Sequence, residues 1–130
     1  MRAAALLLAL TLPAGAQELR PVPDYFVETA MWTSTANILA VICNGLSIDL
    51  PAAARLSQET LDRLTEDGFT PRLLAEEMED PADAIEVLQS AFLAKHDLAR
   101  GASEAEGCAA GRREIAEGTE IGALLLEVEG

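Results

Sequence analysis

The 130-residue sequence has few of the side chains that most often carry chemistry, with one histidine, two cysteines and five aromatic residues. Nucleophilic catalysis needs a serine, threonine or cysteine that is oriented by a base, and no spacing around His96 marks such a pair. We interpret His96 as a surface or partly packed residue. Glycine-rich phosphate loops and calcium-loop patterns are also missing. We therefore expect no catalytic residue, no cofactor and no metal site, and a protein that is not an enzyme.

Basic residues are scarce as well, since 9 Lys and Arg stand against 22 Asp and Glu, for a formal net charge of −13. A surface of this charge repels nucleic acid phosphates and anionic lipid. Nucleic acid is therefore excluded as a partner. The same charge suits solubility, cationic partners or loose binding of divalent cations.

One apolar run stands out, at residues 3–12, and it is shorter than the roughly 20 residues that a membrane span needs. Arg2 precedes it, and Ala14-Gly15-Ala16 follows with small residues suited to cleavage before Gln17. We therefore predict a signal peptide at residues 1–16, cleaved between Ala16 and Gln17. Residues 17–130 would then form a single helical domain with a net charge of −14 and no membrane span, located in the periplasm or secreted.

The two cysteines, Cys43 and Cys108, both lie in the predicted exported part. An even cysteine count in an exported protein is typical of disulfide bonding, and two cysteines allow one intramolecular pairing. Two free thiols or a metal pair are the alternatives, although a lone pair of cysteines without clustered histidine or aspartate is a poor metal site. Closing a loop of this length would stabilise the fold by about 4 kcal/mol in the chain-entropy account.

Apolar spacing and turn residues predict an all-α fold, a compact bundle of four to five short helices with one disulfide. The expected helices cover about 25–43, 50–67, 70–100, 103–117 and a short last segment after Thr119. Asp24, Asp49, Thr70, Ser103 and Thr119 are candidate N-caps. Pro81 leaves open whether the third helix is kinked or briefly broken. The expected buried faces are Val27, Met31, Ile38 and Ile42 in the first helix; Leu50, Ala53, Leu61 and Leu64 in the second; Leu74, Met78, Ile85, Leu88 and Phe92 in the third; and Ile121, Leu124, Leu125 and Val128 in the last.

Glycines crowd the region after Ser103. Gly107, Gly111 and Ile115 fall on one face of a helix, with Cys108 at its edge. Because glycine costs about 1 kcal/mol inside a helix, we expect close packing against the end of the first helix. Gly118 fits a left-handed C-terminal position, and Gly122 would permit another close contact. An anion-binding backbone nest is the less favoured interpretation of these glycines.

The same region carries a family resemblance. The residues and spacing in question are Cys108, Gly111, Glu114, Ile115, Gly118, Thr119, Ile121, Gly122 and Leu125, together with an earlier Cys43-x-x-x-x-Ile48-Asp49. This pattern is similar to the C-terminal signature of a small exported alphaproteobacterial family known as domain of unknown function 5333. The resemblance implies a structural role for these motif residues and brings no activity or substrate.

Three hypotheses of function follow. The first is a non-enzymatic interaction or structural module of the cell envelope, with an unknown envelope protein as its partner. The second is an acid-responsive periplasmic chaperone, because protonation of the 22 carboxylates would make the chain positive and loosen the fold. The third is a small enzyme that uses a buried carboxylate or His96. The densest acidic run (Glu76, Glu77, Glu79, Asp80 and Asp83) looks solvated, and Arg112-Arg113 is expected to pair internally with Glu106, Glu114 or Glu117.

Overall fold

The structure, a computed structural model, describes residues 18–98 and 101–130. Its elements, in chain order, are α1 (Asp24–Ile42), β1 (Leu46–Ile48), α2 (Leu50–Glu66), a 3-10 turn (Pro71–Leu73) that leads into α3 (Leu74–Glu77), α4 (Ala82–Lys95), α5 (Glu104–Glu117), α6 (Glu120–Ala123) and β2 (Leu125–Glu127). The predicted all-α bundle with one disulfide is confirmed. The predicted signal peptide and its cleavage site lie outside the described residues.

α1 is the central helix, and it contacts α2, α4, α5 and α6. The main core forms along it from these buried residues: Met31, Ala36, Leu39, Cys43, Leu46, Phe92, Cys108, Ala110, Ile121, Leu124 and Leu125. Three predicted caps are present, at Asp49, Ser103 and Thr119. The Asp49 carboxylate accepts a hydrogen bond from the Ala52 amide, and the Ser103 hydroxyl accepts one from the Glu106 amide. The predicted caps at Asp24 and Thr70 are wrong: Asp24 is the first residue of α1, and the Thr70 side chain makes no capping hydrogen bond.

The buried face of α1 differs from the predicted one near its C-terminal end. Val27 and Met31 are buried as expected, but the stripe continues through Leu39, while Ile38 is 50% exposed. Because a helix turns by about 100° per residue, either neighbour continues the pattern, and the position of α4 and α5 selects one. Ile38 is consequently left at the protein surface.

α2 has a thinner buried face than predicted. Leu64 and Thr60 are buried, whereas Leu50 is 73% exposed and Leu61 is also exposed. Leu50 is the first residue of the helix. A second, smaller core forms where α2 ends: Leu64, Phe69 and Met78 pack together with Val22, Tyr25, Phe26 and Leu74.

The predicted third helix is interrupted before Pro81. α3 ends at Glu77, Met78 has extended backbone angles, and α4 begins at Ala82. The reason is a competing partner, because Arg20 forms backbone hydrogen bonds with Glu77 and Glu79 on either side of Met78. The apolar spacing that passes through Pro81 therefore serves two cores, with Met78 in the smaller one and Phe92 in the main one.

A short antiparallel sheet was not predicted. β1 and β2 pair with Ser47 opposite Leu126, and the Asp49 amide donates to the Leu124 carbonyl just beyond the paired residues. The prediction of one apolar helical face from Ile121 to Val128 is therefore wrong, because the helix stops at Ala123 and Val128 is exposed. β1 supplies backbone partners that a continued helix would leave unused.

The glycines of α5 allow the close approach that the sequence predicts. A Cβ atom at Gly107 would lie 2.5 Å from a methyl group of Ile42, and one at Gly111 would overlap Leu46. This contact places α5 against the end of α1 and against β1, with Cys43 and Cys108 at a Cα–Cα distance of 5.0 Å and their sulfurs 1.95 Å apart, at disulfide distance.

Candidate functional site

A buried carboxylate joins three helices next to the α5–α6 turn. Glu114 of α5 has a side chain that is 1% exposed. Its carboxylate accepts hydrogen bonds from the Lys95 ammonium at 2.9 Å, from Nε2 of His96 at 2.7 Å and from the Thr119 hydroxyl. The His96 side chain is itself 3% exposed. We call these four residues the Glu114 cluster.

The cluster keeps Glu114 ionised. Burial by itself raises the pKa of the Glu114 carboxyl, but the hydrogen bonds from Thr119, His96 and Lys95 together outweigh burial and hold this pKa below its ordinary value. Hydrogen bonds that the Lys95 ammonium donates to Glu117 and then to Glu114 raise the pKa of Lys95. A general acid at neutral pH needs a raised carboxyl pKa, so the chemistry of the cluster is that of a fixed ion cluster that ties α4 to α5 and α6.

The ion pairs of Arg112 and Arg113 are internal, as predicted, and one of the two partners, Glu117, is among those expected. Arg113 contacts Glu117 at 2.9 Å, and Arg112 contacts Glu127 of β2 at 3.5 Å. Glu114 instead pairs with Lys95 at the end of α4 and with His96 directly after it, and the sequence does not predict this contact. These partners lie 18 and 19 residues before Glu114, so no helical spacing signals the contact.

An apolar pocket opens between α1, α4 and the start of α5. Its volume is about 210 Å³, and its lining residues carry no charge: Thr35, Ile38, Leu39, Ile42, Gln89, Phe92, Leu93, Leu98, Gly101, Ala102 and Gly107. Core residues Leu39 and Phe92 form part of the lining. Ile38 is half exposed, and Leu93 is 38% exposed. We call this feature the α1–α4 pocket.

The two polar side chains in the lining already have partners elsewhere. The Thr35 hydroxyl donates to the Met31 sulfur at 3.4 Å, and the Gln89 amide donates to the Ser34 hydroxyl at 3.1 Å. The pocket therefore presents an almost wholly apolar surface to anything that enters it. Its residues were missed from the sequence because Ile38 was placed in the core and Leu93 was given no role.

The motif residues of the α5–α6 region lie together. Gly118 ends α5 with φ at 66°, and Thr119 accepts a hydrogen bond from the Gly122 amide, as predicted. Ile121 is buried, and Ile115 packs against the main core. A Cβ atom at Gly122 would overlap the Glu114 backbone carbonyl. The motif thus builds the helix–turn–helix that holds the Glu114 cluster.

The acidic run on either side of Pro81 is largely exposed. Glu76, Glu79, Asp80 and Asp83 are exposed, while Glu77 is half-buried and accepts a hydrogen bond from the Thr70 amide. Within residues 18–98 and 101–130, no three histidine, cysteine, aspartate or glutamate side chains are grouped to hold a metal ion. None of the helices in the described part of the chain is both long and apolar enough to cross a membrane.

Fold and site together define a small acidic helical protein with one disulfide, a buried ion cluster and an apolar surface pocket. The chain belongs to the family of unknown function DUF5333, whose family model matches residues 18–126. This confirms the family resemblance of the C-terminal motif and extends it over nearly the whole described chain. Neither the curated proteins nor the solved structures contain a match to it.

Proposed function

We propose that this protein is a non-enzymatic interaction module of the cell envelope, and that it binds a partner protein by taking one bulky apolar side chain into the α1–α4 pocket. The observation that carries the proposal is the apolar pocket itself, with two half-exposed aliphatic residues, Ile38 and Leu93, in its lining. A surface pocket of this kind matches the anchor sites at which a few buried side chains dominate protein–protein affinity.

The size of the pocket favours a side chain over a free ligand. Pockets for drug-sized ligands have volumes of about 300–1,000 Å³ and enclose most of the ligand. The α1–α4 pocket has about 210 Å³ and opens to solvent. Apolar cavities of about 150 Å³ hold a single benzene, so the available space suits one leucine, methionine or phenylalanine side chain.

Location in the periplasm or outside the cell is part of the proposal. The Cys43–Cys108 pair is at disulfide distance, and structural disulfides persist in oxidising compartments. The predicted signal peptide at residues 1–16 also favours export. Mass spectrometry of protein purified from its own cells would test both features through loss of residues 1–16 and of two hydrogens.

The docking role is tested by site-specific photo-crosslinking in living cells. A benzophenone amino acid replaces Leu93, which lines the pocket, or Val87 on the same helix, which is 68% exposed and outside the pocket. We expect a discrete protein adduct from position 93 and none from position 87. The adduct should disappear when Ile38→Asp is added. Adducts of equal yield at both positions, or none at either, would overturn the proposal.

The acid-responsive chaperone is a second candidate function, favoured by the Glu114 cluster. Protonation of Glu114 in acid would remove the anion that His96, Lys95 and Thr119 share, and would loosen the junction of α4, α5 and α6. The lowered pKa of Glu114 places this event below the ordinary range of a glutamate. Light scattering of an aggregating client protein at pH 2–3 is the test, and an unchanged aggregation rate at equimolar protein would end this proposal.

The proposal of an enzyme receives less support. Glu114 and His96 are both buried, and the enzyme hypothesis requires a buried carboxylate or histidine. However, the Glu114 carboxylate already accepts hydrogen bonds from three side chains. Its pKa is lowered, whereas an acid–base residue needs a pKa near the working pH.

A further inference from the structure

The charges around the α1–α4 pocket indicate the chemistry of its occupant. Resting on the proposed docking role, we infer that the bound segment is cationic: a peptide stretch of another protein in which one bulky apolar residue is flanked by lysine or arginine.

Acidic side chains stand on two sides of the pocket. Glu86 is exposed on α4, one turn before Gln89 and two turns before Leu93, so it lies on the same face as these lining residues. Glu104 is exposed at the first position of α5, one turn before Gly107 in the lining. Its carboxylate makes one contact, of 3.3 Å, with the Asn44 amide, which leaves its second oxygen available.

The cation nearest to Leu93 along α4 does not offset these carboxylates. Lys95 lies two residues further on, but its ammonium is already bound to Glu114 at 2.9 Å and to Glu117 at 2.8 Å, both on α5, and it does not line the pocket. The pocket lining contains no charged residue in the described part of the chain. Arg100 follows the lining residue Leu98 by two positions and lies outside the described residues. The described rim is therefore acidic around an apolar centre.

A second copy of this chain is a poor occupant of the same pocket. Each copy carries a formal net charge of −13, and docking would bring two acidic rims together, which costs affinity through like-charge repulsion. An anionic lipid surface is disfavoured for the same reason. A basic segment satisfies both halves of the site, because its apolar residue fills the pocket while its cations meet Glu86 and Glu104.

An unbiased selection tests the inference. A phage library of random 12-residue peptides is selected in parallel on the immobilised protein and on its Leu93→Asp variant. We expect enrichment of sequences with a positive net charge around one leucine, methionine or phenylalanine. Replacing that residue with alanine in a synthetic peptide should weaken binding about tenfold or more, because a buried aliphatic side chain contributes that much.

A charge-matched pair of variants tests the rim. In fluorescence anisotropy at low salt, Glu86→Gln with Glu104→Gln should weaken the selected peptide several-fold. Glu59→Gln with Glu66→Gln removes the same charge from exposed positions of α2 and should leave the affinity nearly unchanged. Raising the salt concentration should reduce the difference between the two double variants, because rim charges are screened.

The outcomes separate the two proposals. Selection of uncharged or acidic apolar peptides that still require Leu93 would overturn the cationic occupant and leave the docking role intact. Peptides that bind Leu93→Asp equally well, or no enrichment at all, would overturn both. Concentration-dependent dimers in light scattering that Leu93→Asp abolishes would assign the pocket to a second copy and overturn the inference.

Discussion

Replacing Glu114 with glutamine should destabilise the fold by about 2 kcal/mol at neutral pH. The substitution keeps the side-chain volume and one oxygen acceptor, and it removes the charge and turns the second acceptor oxygen into an NH2 donor. Hydrogen bonds to a charged group contribute about twice as much as neutral ones, a difference of roughly 1 kcal/mol each. His96 and Thr119 are held in the buried cluster and lose this contribution, whereas Lys95 keeps Glu117 as a partner at 2.8 Å.

Urea unfolding followed by tryptophan fluorescence measures this loss, because Trp32 is the one tryptophan in the chain and packs against the main core. A loss of 2 kcal/mol in a protein of this size corresponds to a fall of roughly 8 °C in melting temperature. Glu117→Gln is the matched control: it removes the other carboxylate that Lys95 contacts, but on an exposed side chain. If both variants lose the same small amount of stability, the reasoning about burial is wrong.

The destabilisation should depend on pH in one direction. Because the folded protein lowers the pKa of Glu114, the ionised carboxylate adds stability above the ordinary glutamate pKa of about 4.3. This contribution is lost as the pH falls through the lower value of the folded state. The difference between wild type and Glu114→Gln should therefore be full at pH 7 and should shrink below pH 4. A difference that is as large at pH 3 as at pH 7 would refute the assignment.

Three further predictions concern other parts of the fold. Gly122→Ala should cost about 2 kcal/mol or more in urea unfolding, because its Cβ would overlap a backbone carbonyl that cannot rotate away. Tyr25, whose hydroxyl donates to Asp67 at 2.6 Å, has its pKa raised to about 12, first by burial and then by that hydrogen bond. Absorbance at 295 nm should therefore show no ionisation of Tyr25 at pH 10.5 in the folded protein, and an ionisation midpoint near 10 would contradict this. The stability that this group contributes should be lost as the pH rises from 10 towards 12. Replacing both Cys43 and Cys108 with alanine should lower the free energy of unfolding by about 4 kcal/mol for a 65-residue separation, and a loss below 1 kcal/mol would contradict the loop-entropy account.

Several elements could be predicted from the sequence because their causes are local. Ser103 and Asp49 cap their helices through contacts that span three residues. Gly118 ends α5 because a left-handed residue at that position favours glycine. The pairing of Cys43 with Cys108 follows from there being two cysteines in a predicted exported chain.

Other features depend on which elements meet in space. Arg20 pairs with the backbone around Met78, which lies 58 residues further along the chain. This contact interrupts the helix that the unshifted apolar spacing predicts. β1 pairs with a segment near residue 126 and ends the last helix after Ala123. Three-residue strands carry too few alternating side chains to be recognised on their own.

The Glu114 cluster and the α1–α4 pocket also combine features with local causes and features that depend on tertiary contacts. The sequence alone determined that Gly111, Gly118 and Gly122 permit a tight helix–turn–helix, because the lack of a side chain acts wherever that backbone goes. Only the tertiary structure decided that Glu114 within this turn is buried against His96, since α4 supplies the partner. It likewise decided that Ile38, and not Leu39, faces solvent beside Leu93. Helical periodicity permits either residue to face inward, and the packing of α4 and α5 on α1 makes the choice.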